Sequence, residues 1–133
     1  AKVAQAYDFI NKKEKKFDEP IGEGGSNVSG GQKQRLSIAR ALVRKPEIYI
    51  FDDSFSALDF KTDAILRAEL KKETTHAIVL IVAQRIGSIM DADKIIVLDE
   101  GNVVGIGKHK ELLKTCSVYK EIALSQLTEE ELA

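Results

Sequence analysis

The spacing of hydrophobic residues along the chain changes near residue 46, from a helical pattern to short continuous runs. Before that point, apolar residues three and four positions apart predict a helix over Val3–Asn11 and a second helix that Pro46 ends. The apolar stripe of the second helix consists of Leu36, Ala39, Leu42 and Val43. After that point, the runs "EIYIF", "AIVLIVA" and "KIIVLD" are typical of strands buried on both faces.

Further helices separate or follow these strands. They are predicted at Phe60–Lys72, with Ile65, Leu66 and Leu70 facing inward, and at His109–Leu113 and Ser117–Leu127. The stretch "EGNVVGIG" predicts a turn at Glu-Gly-Asn followed by the edge strand of a hairpin. Because strands alternate with helices, the predicted fold class is α/β, with a mainly parallel sheet flanked by helices.

Length and composition exclude several classes of protein. The 133 residues suffice for one small domain, and a net charge of -1 gives no basic field that would attract nucleic acid. The single cysteine excludes an internal disulfide. The longest apolar run, Ala77–Ala83, is far shorter than the roughly 20 residues that cross a bilayer. The start has no signal-peptide pattern and no initiator Met, so we expect a piece of a longer protein.

Two adjacent glycines stand at the beginning of the second helix. Ser29 and Gln32 form an S-x-x-Q capping box, which opens a helix but requires no glycine. Gly30 and Gly31 each cost a helix about 1 kcal/mol relative to alanine. A backbone without Cβ admits the close approach of another backbone or of a ligand, and a helix N-terminus favours anions. The pattern fits either a capped helix with a loose first turn or a phosphate-binding helix start to which the Ser29 hydroxyl adds a donor.

Two carboxylates follow the first apolar run. Asp52 and Asp53 lie where open α/β sheets bind ligands, at the C-terminal edge of a strand, and one of them can hold Mg²⁺. The simpler interpretation is that both residues end the strand in a turn. Asp59, just before Phe60, is a candidate N-cap of the next helix.

Several motifs in this order resemble those of ATP-binding cassette (ABC) proteins. "VSGGQKQRLSIARAL" is similar to the signature and its helix, and "IGEGG" to the loop before it in exporters. "IYIFDD" resembles a Walker B strand, "SALD" the D-loop, "IVAQR" the switch region and "DADKIIVLDEGNVVGIGKHKELL" the terminal strands and helix. The resemblance implies a partial P-loop NTPase fold. Residues 1–45 would be part of the helical subdomain, and residues 46–133 part of the core.

The resemblance also implies roles for single residues, with ATP and Mg²⁺ as cofactors. In this family two cassettes pack head to tail, and each ATP site joins the Walker motifs of one chain to the signature of the other. The residues that would complete a partner's site are Ser29, Gly30, Gly31 and Gln32. Asp52 would hold Mg²⁺, Asp53 and Gln84 would be the catalytic groups of this chain's own site, and Asp59 would contact the partner.

Two of these residues depart from the family pattern. Asp53 stands where the family has glutamate. Its carboxylate reaches about 1.5 Å less far than that of glutamate, the length of one C–C bond. Misplacement of a catalytic group by about 1 Å can cost on the order of 100-fold in rate. Gln84 replaces the switch histidine and therefore carries no charge and shuttles no proton. An intact signature beside an impaired site resembles one half of a heterodimeric exporter. A slowly hydrolysing homodimer is the alternative.

The phosphate-binding loop G-x-x-x-x-G-K-[ST] does not occur in the sequence. The resemblance implies that this loop and the transmembrane domain lie before Ala1, so we expect the isolated chain to be inactive. The leading hypothesis is the ATPase of an ABC exporter at the cytoplasmic face of the cell membrane. A soluble ABC-type ATPase and a non-hydrolysing module that completes a partner's ATP site are the alternatives.

Overall fold

The computed structural model describes residues 1–128, which form two compact units, Ala1–Val82 and a second unit that begins at Ala83. In chain order, the first unit contains α1 (Tyr7–Asn11), α2 (Gly30–Val43), β1 (Ile48–Asp52), α3 (Phe60–Glu73) and β2 (Ile78–Val82). The second unit contains β3 (Ile95–Asp99), β4 (Asn102–Gly107), α4 (His109–Thr115) and α5 (Ser117–Leu124). Short 3₁₀ turns lie at Lys16–Asp18, Glu23–Gly25 and Ile86–Ser88. The α/β fold class is confirmed.

The first unit is built on two parallel strands. Ile48 lies opposite Ile78 and Asp52 opposite Val82, and α3 forms the crossover that parallel strands require. The core consists of buried side chains from α2, β1, α3 and the loops: Ala4, Ile38, Tyr49, Phe51, Phe55, Leu58, Leu66 and Leu70. This arrangement places the end of β1 and the beginning of α2 in the same unit.

The prediction that the strands are buried on both faces is wrong for the part of the chain that the structure describes. Side chains alternate along β1, so that Tyr49 and Phe51 are buried while Ile50 is 68% exposed. Exposed apolar side chains also lie on β2 and β3, namely Ile78, Leu80, Val82, Ile96 and Leu98. Within the described residues, one face of each sheet is therefore apolar and exposed.

The second unit is a hairpin on which two helices pack. β3 and β4 are antiparallel, and Glu100 and Gly101 both have positive φ (45° and 78°), as a two-residue type I′ turn requires. The predicted hairpin is confirmed. Leu112 of α4 and Tyr119 of α5 are buried with Ile95 and Val97.

Several predicted helix bounds and inward residues need correction. The first helix begins at Tyr7 rather than Val3, because the φ of +53° at Gln5 breaks helical geometry. The last helix ends at Leu124 rather than Leu127. In α2 the buried residue is Ile38, whereas Val43 is 81% exposed, and in α3 Ile65 is exposed. Helical spacing identifies a face but cannot tell which edge of that face the neighbouring elements cover.

The longest helices among residues 1–128 have 14 residues. None of the helices in this described part is long and apolar enough to cross a membrane.

Candidate functional site

The predicted capping box opens α2. The Gln32 N–H donates to Ser29 Oγ over 3.3 Å, and the Ser29 N–H donates to the Gln32 side-chain oxygen over 3.0 Å. This prediction is confirmed. Among the described residues, the N–H groups of Gly30 and Gly31 have no hydrogen-bond acceptor, as expected for the first turn of a helix. Two donors at the positive end of the helix dipole are thus available to an anion.

The structure distinguishes the two glycines. A Cβ on Gly31 would lie 2.9 Å from the carbonyl oxygen of Ala57 and 3.4 Å from Leu58 Cδ2. A Cβ on Gly30 would lie 3.6 Å from Ala57 Cβ, which is an ordinary van der Waals distance. Internal packing therefore requires glycine at position 31 but leaves room for alanine at position 30.

The two predicted carboxylates lie at the C-terminal end of β1. Asp52 is the last strand residue, and Asp53 has a φ of +45°, a conformation that aspartate tolerates better than most residues. The Asp53 N–H donates to the Val82 carbonyl over 3.0 Å, and Ser56 Oγ donates to Asp53 Oδ2 over 2.9 Å. Both aspartates are exposed. Their carboxylates are within reach of a ligand from solvent.

A single exposed carboxylate at this end of β1 fits a Mg²⁺ ion that is held mostly by other ligands. No group of three or more His, Cys, Asp or Glu side chains within residues 1–128 could hold a metal ion. Mg²⁺ is commonly bound by one or two carboxylates, with water and substrate phosphates as the remaining ligands. Asp52 could supply such a carboxylate.

Sequence reasoning missed Gln34, which connects α2 to the loop after β1. Its side-chain N–H₂ donates to the Asp53 carbonyl and to Ser56 Oγ, each over 3.1 Å. Its side-chain oxygen accepts from the Ala57 N–H over 3.0 Å. The available signal was helical spacing, because Gln34 follows Gly30 by four residues and Gly31 by three and shares their face.

Asp59 is the N-cap of α3, as predicted. Its Oδ2 accepts from the Thr62 N–H over 2.9 Å, and its Oδ1 accepts from the Thr62 hydroxyl over 2.7 Å. Both bonds lower the pKa of Asp59 below its ordinary value of 3.8, and the bond from the Thr62 backbone has the larger effect. The predicted contact of Asp59 with a partner chain stays a prediction.

Gln84 belongs to the second unit, in the segment before the 3₁₀ turn at Ile86–Ser88. Its side chain is exposed, and its carbonyl accepts from the side-chain N–H₂ of Gln126 over 2.7 Å. The Gln126 side-chain oxygen accepts from the Ile86 N–H over 2.9 Å. Gln126, which sequence reasoning also missed, thus holds the backbone on both sides of Arg85. The predicted role of Gln84 beside a γ-phosphate stays a prediction.

Comparisons with known proteins agree with these motifs. Residues 1–56 match the ABC transporter family model. The chain is 51% identical over 106 residues to an uncharacterized ABC transporter ATP-binding protein of Mycobacterium bovis, covering 80% of this chain and 18% of that protein. It is 46% identical over 114 residues to the leukotoxin export ATP-binding protein LtxB of Aggregatibacter actinomycetemcomitans, covering 86% of this chain and 16% of LtxB.

A solved structure of an ABC exporter is also similar to this chain. A bacterial Atm1-family ABC exporter with ATP bound matches 92% of this chain and 22% of its own, with a TM-score of 0.88 and 38% sequence identity. The chain spans about a fifth of the length of each of these relatives. By sequence and by fold, the chain is homologous to the ATP-binding domain of ABC transporters, and its relatives include exporter ATP-binding proteins.

Proposed function

We propose that this chain is the C-terminal part of the ATP-binding cassette of an ABC exporter and that the complete cassette hydrolyses ATP with Mg²⁺ to drive transport across a membrane. The observation that carries the proposal is the beginning of α2. Within residues 1–128, the N–H groups of Gly30 and Gly31 have no acceptor, and internal packing does not account for the glycine at position 30. A phosphate group that approaches the helix N-terminus closely would use these two donors and would account for the glycine at position 30.

The proposal includes a larger cassette around this chain. The sequence has no phosphate-binding loop, and the chain spans only 16–22% of the relatives described above. The exposed apolar faces of both sheets, which include Ile50, Leu80, Ile96 and Leu98, are consistent with further protein that covers them. The transmembrane domain of the same transporter is the second proposed partner, which would place the cassette at the cytoplasmic face of the membrane.

Two cassettes are proposed to pack head to tail. The side chain of Ser29 and the N–H groups of Gly30 and Gly31 would donate to the phosphates of ATP bound mainly by the partner, with Gln32 fixing the helix start through the capping box. Asp59 would lie at the contact between the cassettes.

In the chain's own site, Asp52 would hold Mg²⁺. Asp53 would orient the attacking water, and Ser56 Oγ would restrain its carboxylate. Gln84 would donate a hydrogen bond to the γ-phosphate but could not carry a proton. Because Asp53 is short and Gln84 is neutral, we infer a heterodimer in which this chain's own site turns over slowly and its signature supports the partner's site.

Substitution of Gly30 tests the proposal in the full-length transporter that carries this chain. Gly30→Asp places a negative side chain where the phosphate is expected, and the nearest atom to a new Cβ is at an ordinary distance, so the fold is retained. We expect Mg²⁺-dependent ATP hydrolysis to fall by at least about tenfold, since a hydrogen bond to a charged group contributes about 1.5–3 kcal/mol.

Ser37→Asp is the matched control, because it adds the same charge to the exposed face of α2 away from its first turn. It should leave ATP hydrolysis unchanged. Equal rates for Gly30→Asp and wild type would refute a phosphate at this helix start. Gly31→Ala serves as a second comparison: its Cβ would clash with Ala57, so it should lower the unfolding temperature, which Gly30→Ala should not.

A further inference from the structure

One side chain connects two parts of the molecule that the proposed function assigns to different ATP sites. Gln34 lies on α2, one turn after the glycines of the signature, and bonds to three atoms of the loop between Asp53 and Ala57. The Ala57 carbonyl also lies so close to Gly31 that a Cβ on residue 31 would not fit. The helix start and the loop are therefore joined at two neighbouring points, one by hydrogen bonds and one by direct packing.

The hydrogen-bond directions give this connection a chemical consequence. Because Gln34 donates to Ser56 Oγ, the hydroxyl oxygen acts as an acceptor there, and its own hydrogen remains for Asp53. That hydrogen is directed at the Asp53 carboxylate over 2.9 Å and at the Asp53 carbonyl over 3.1 Å. Gln34 thus orients the group that restrains the carboxylate, in addition to holding the Asp53 carbonyl directly.

We propose that Gln34 is a positioning residue that couples the two ATP sites of the cassette pair. This inference rests on the proposed function, in which Asp53 serves the chain's own site and Gly30 and Gly31 serve the partner's. A displacement of the Asp53 loop when nucleotide binds is passed to the beginning of α2, because Gln34 and the Gly31–Ala57 contact hold both as one body. The nucleotide state of one site thereby sets the position of the phosphate donors at the other.

The first test measures the connection itself by amide hydrogen exchange in the full-length transporter. Gln34→Met has a similar volume and removes all three hydrogen bonds, so the Ala57 N–H should exchange about two- to tenfold faster. Gln34→Glu keeps the acceptor for that N–H but lacks the amide donor, and should therefore retain protection at Ala57. Ser37→Ala, on the exposed face of the same helix, is the matched control and should change nothing.

The second test measures steady-state ATP hydrolysis by the same variants paired with the partner cassette. Gln34 contacts neither nucleotide in the proposed arrangement, so Gln34→Met should lower kcat roughly two- to thirtyfold, the range of coupling energies between linked sites, and leave KM for ATP unchanged. Gln34→Glu should also lower kcat, because it cannot donate to Ser56 or Asp53. Ser37→Ala should match wild type in both constants.

A double mutant separates positioning from general loss of stability. If Gln34 acts through Ser56, adding Ser56→Ala to Gln34→Met should lower kcat no further than Gln34→Met alone. Additive losses, or a wild-type kcat in Gln34→Met, would overturn the coupling role while leaving the proposed function intact. An absence of Mg²⁺-dependent hydrolysis in wild type would refute the proposed function and the coupling role together.

Discussion

The reason for a particular residue at this site is found in the atoms that surround it more than in its residue type. The adjacent glycines Gly30 and Gly31 look equivalent in the sequence, but only Gly31 has a backbone oxygen against it. Asp59 likewise has one interaction that accounts for it, the N-cap of α3. A role in ligand binding is therefore best tested at Gly30, where packing gives no competing explanation.

The cap at Asp59 predicts a pH dependence of stability. Its folded pKa lies below 3.8 because the ionised carboxylate accepts from the Thr62 backbone and hydroxyl. A lowered folded pKa means that the stabilisation is present above the unfolded pKa and is lost as pH falls through the folded pKa. Urea unfolding of wild type should thus show stability that declines on acidification below about pH 4.

Asp59→Asn provides the comparison, since asparagine caps helices about as well as aspartate but does not titrate. As pH falls, the unfolding free energy of wild type should decrease relative to that of Asp59→Asn. Parallel pH profiles for the two proteins would show that Asp59 does not contribute to the acid dependence.

Among the elements, two loops are held by hydrogen bonds from glutamine side chains rather than by helical or strand hydrogen bonds. Gln34 joins α2 to the loop after β1, and Gln126 joins the turn after α5 to the segment containing Gln84. Each amide uses both its donor and its acceptor on backbone groups that helices and strands leave unpaired. Such bridges allow a loop to hold an irregular conformation.

Loss of the Gln126 bridge should loosen the backbone around Gln84. In Gln126→Ala the Ile86 N–H loses its acceptor, so its hydrogen exchange should accelerate about two- to tenfold. Gln126→Glu keeps that acceptor and should retain protection at Ile86. Unchanged exchange in Gln126→Ala would show that this bond does not restrain the segment in solution.

At the scale of the whole molecule, the described residues leave apolar sheet faces uncovered and the sequence has no phosphate-binding loop. In the proposed function, the donors at α2 and the carboxylates at β1 would be only parts of ATP sites. Their chemistry depends on groups that bind the β- and γ-phosphates and that this chain does not contain.

The isolated chain should accordingly hydrolyse no ATP above background. The measurement is phosphate release by purified protein with ATP and Mg²⁺, with Asp52→Ala as the control for metal-dependent turnover. Release that requires Mg²⁺ and disappears in Asp52→Ala would contradict this prediction, because it would mean that the chain alone assembles a working site.

Features that depend on local chemistry could be predicted from the sequence. Alternation of apolar runs with helical spacing gave the α/β class, the S-x-x-Q pattern gave the cap at Ser29, and "EGN" gave the turn of the hairpin. These predictions succeeded because capping and tight turns involve residues only a few positions apart.

Contacts between residues that are far apart in the sequence could be identified only in the folded chain. Gln34 contacts Ala57 from 23 positions away and Gln126 contacts Gln84 from 42, and no periodicity encodes such pairs. Which residues are buried also depends on the fold: Ile38 rather than Val43 is buried, and Ile50 is exposed. Of the two adjacent glycines, only Gly31 has a packing reason to be glycine. Burial and close approach depend on what lies opposite a residue in space, which hydrophobic spacing along one element does not specify.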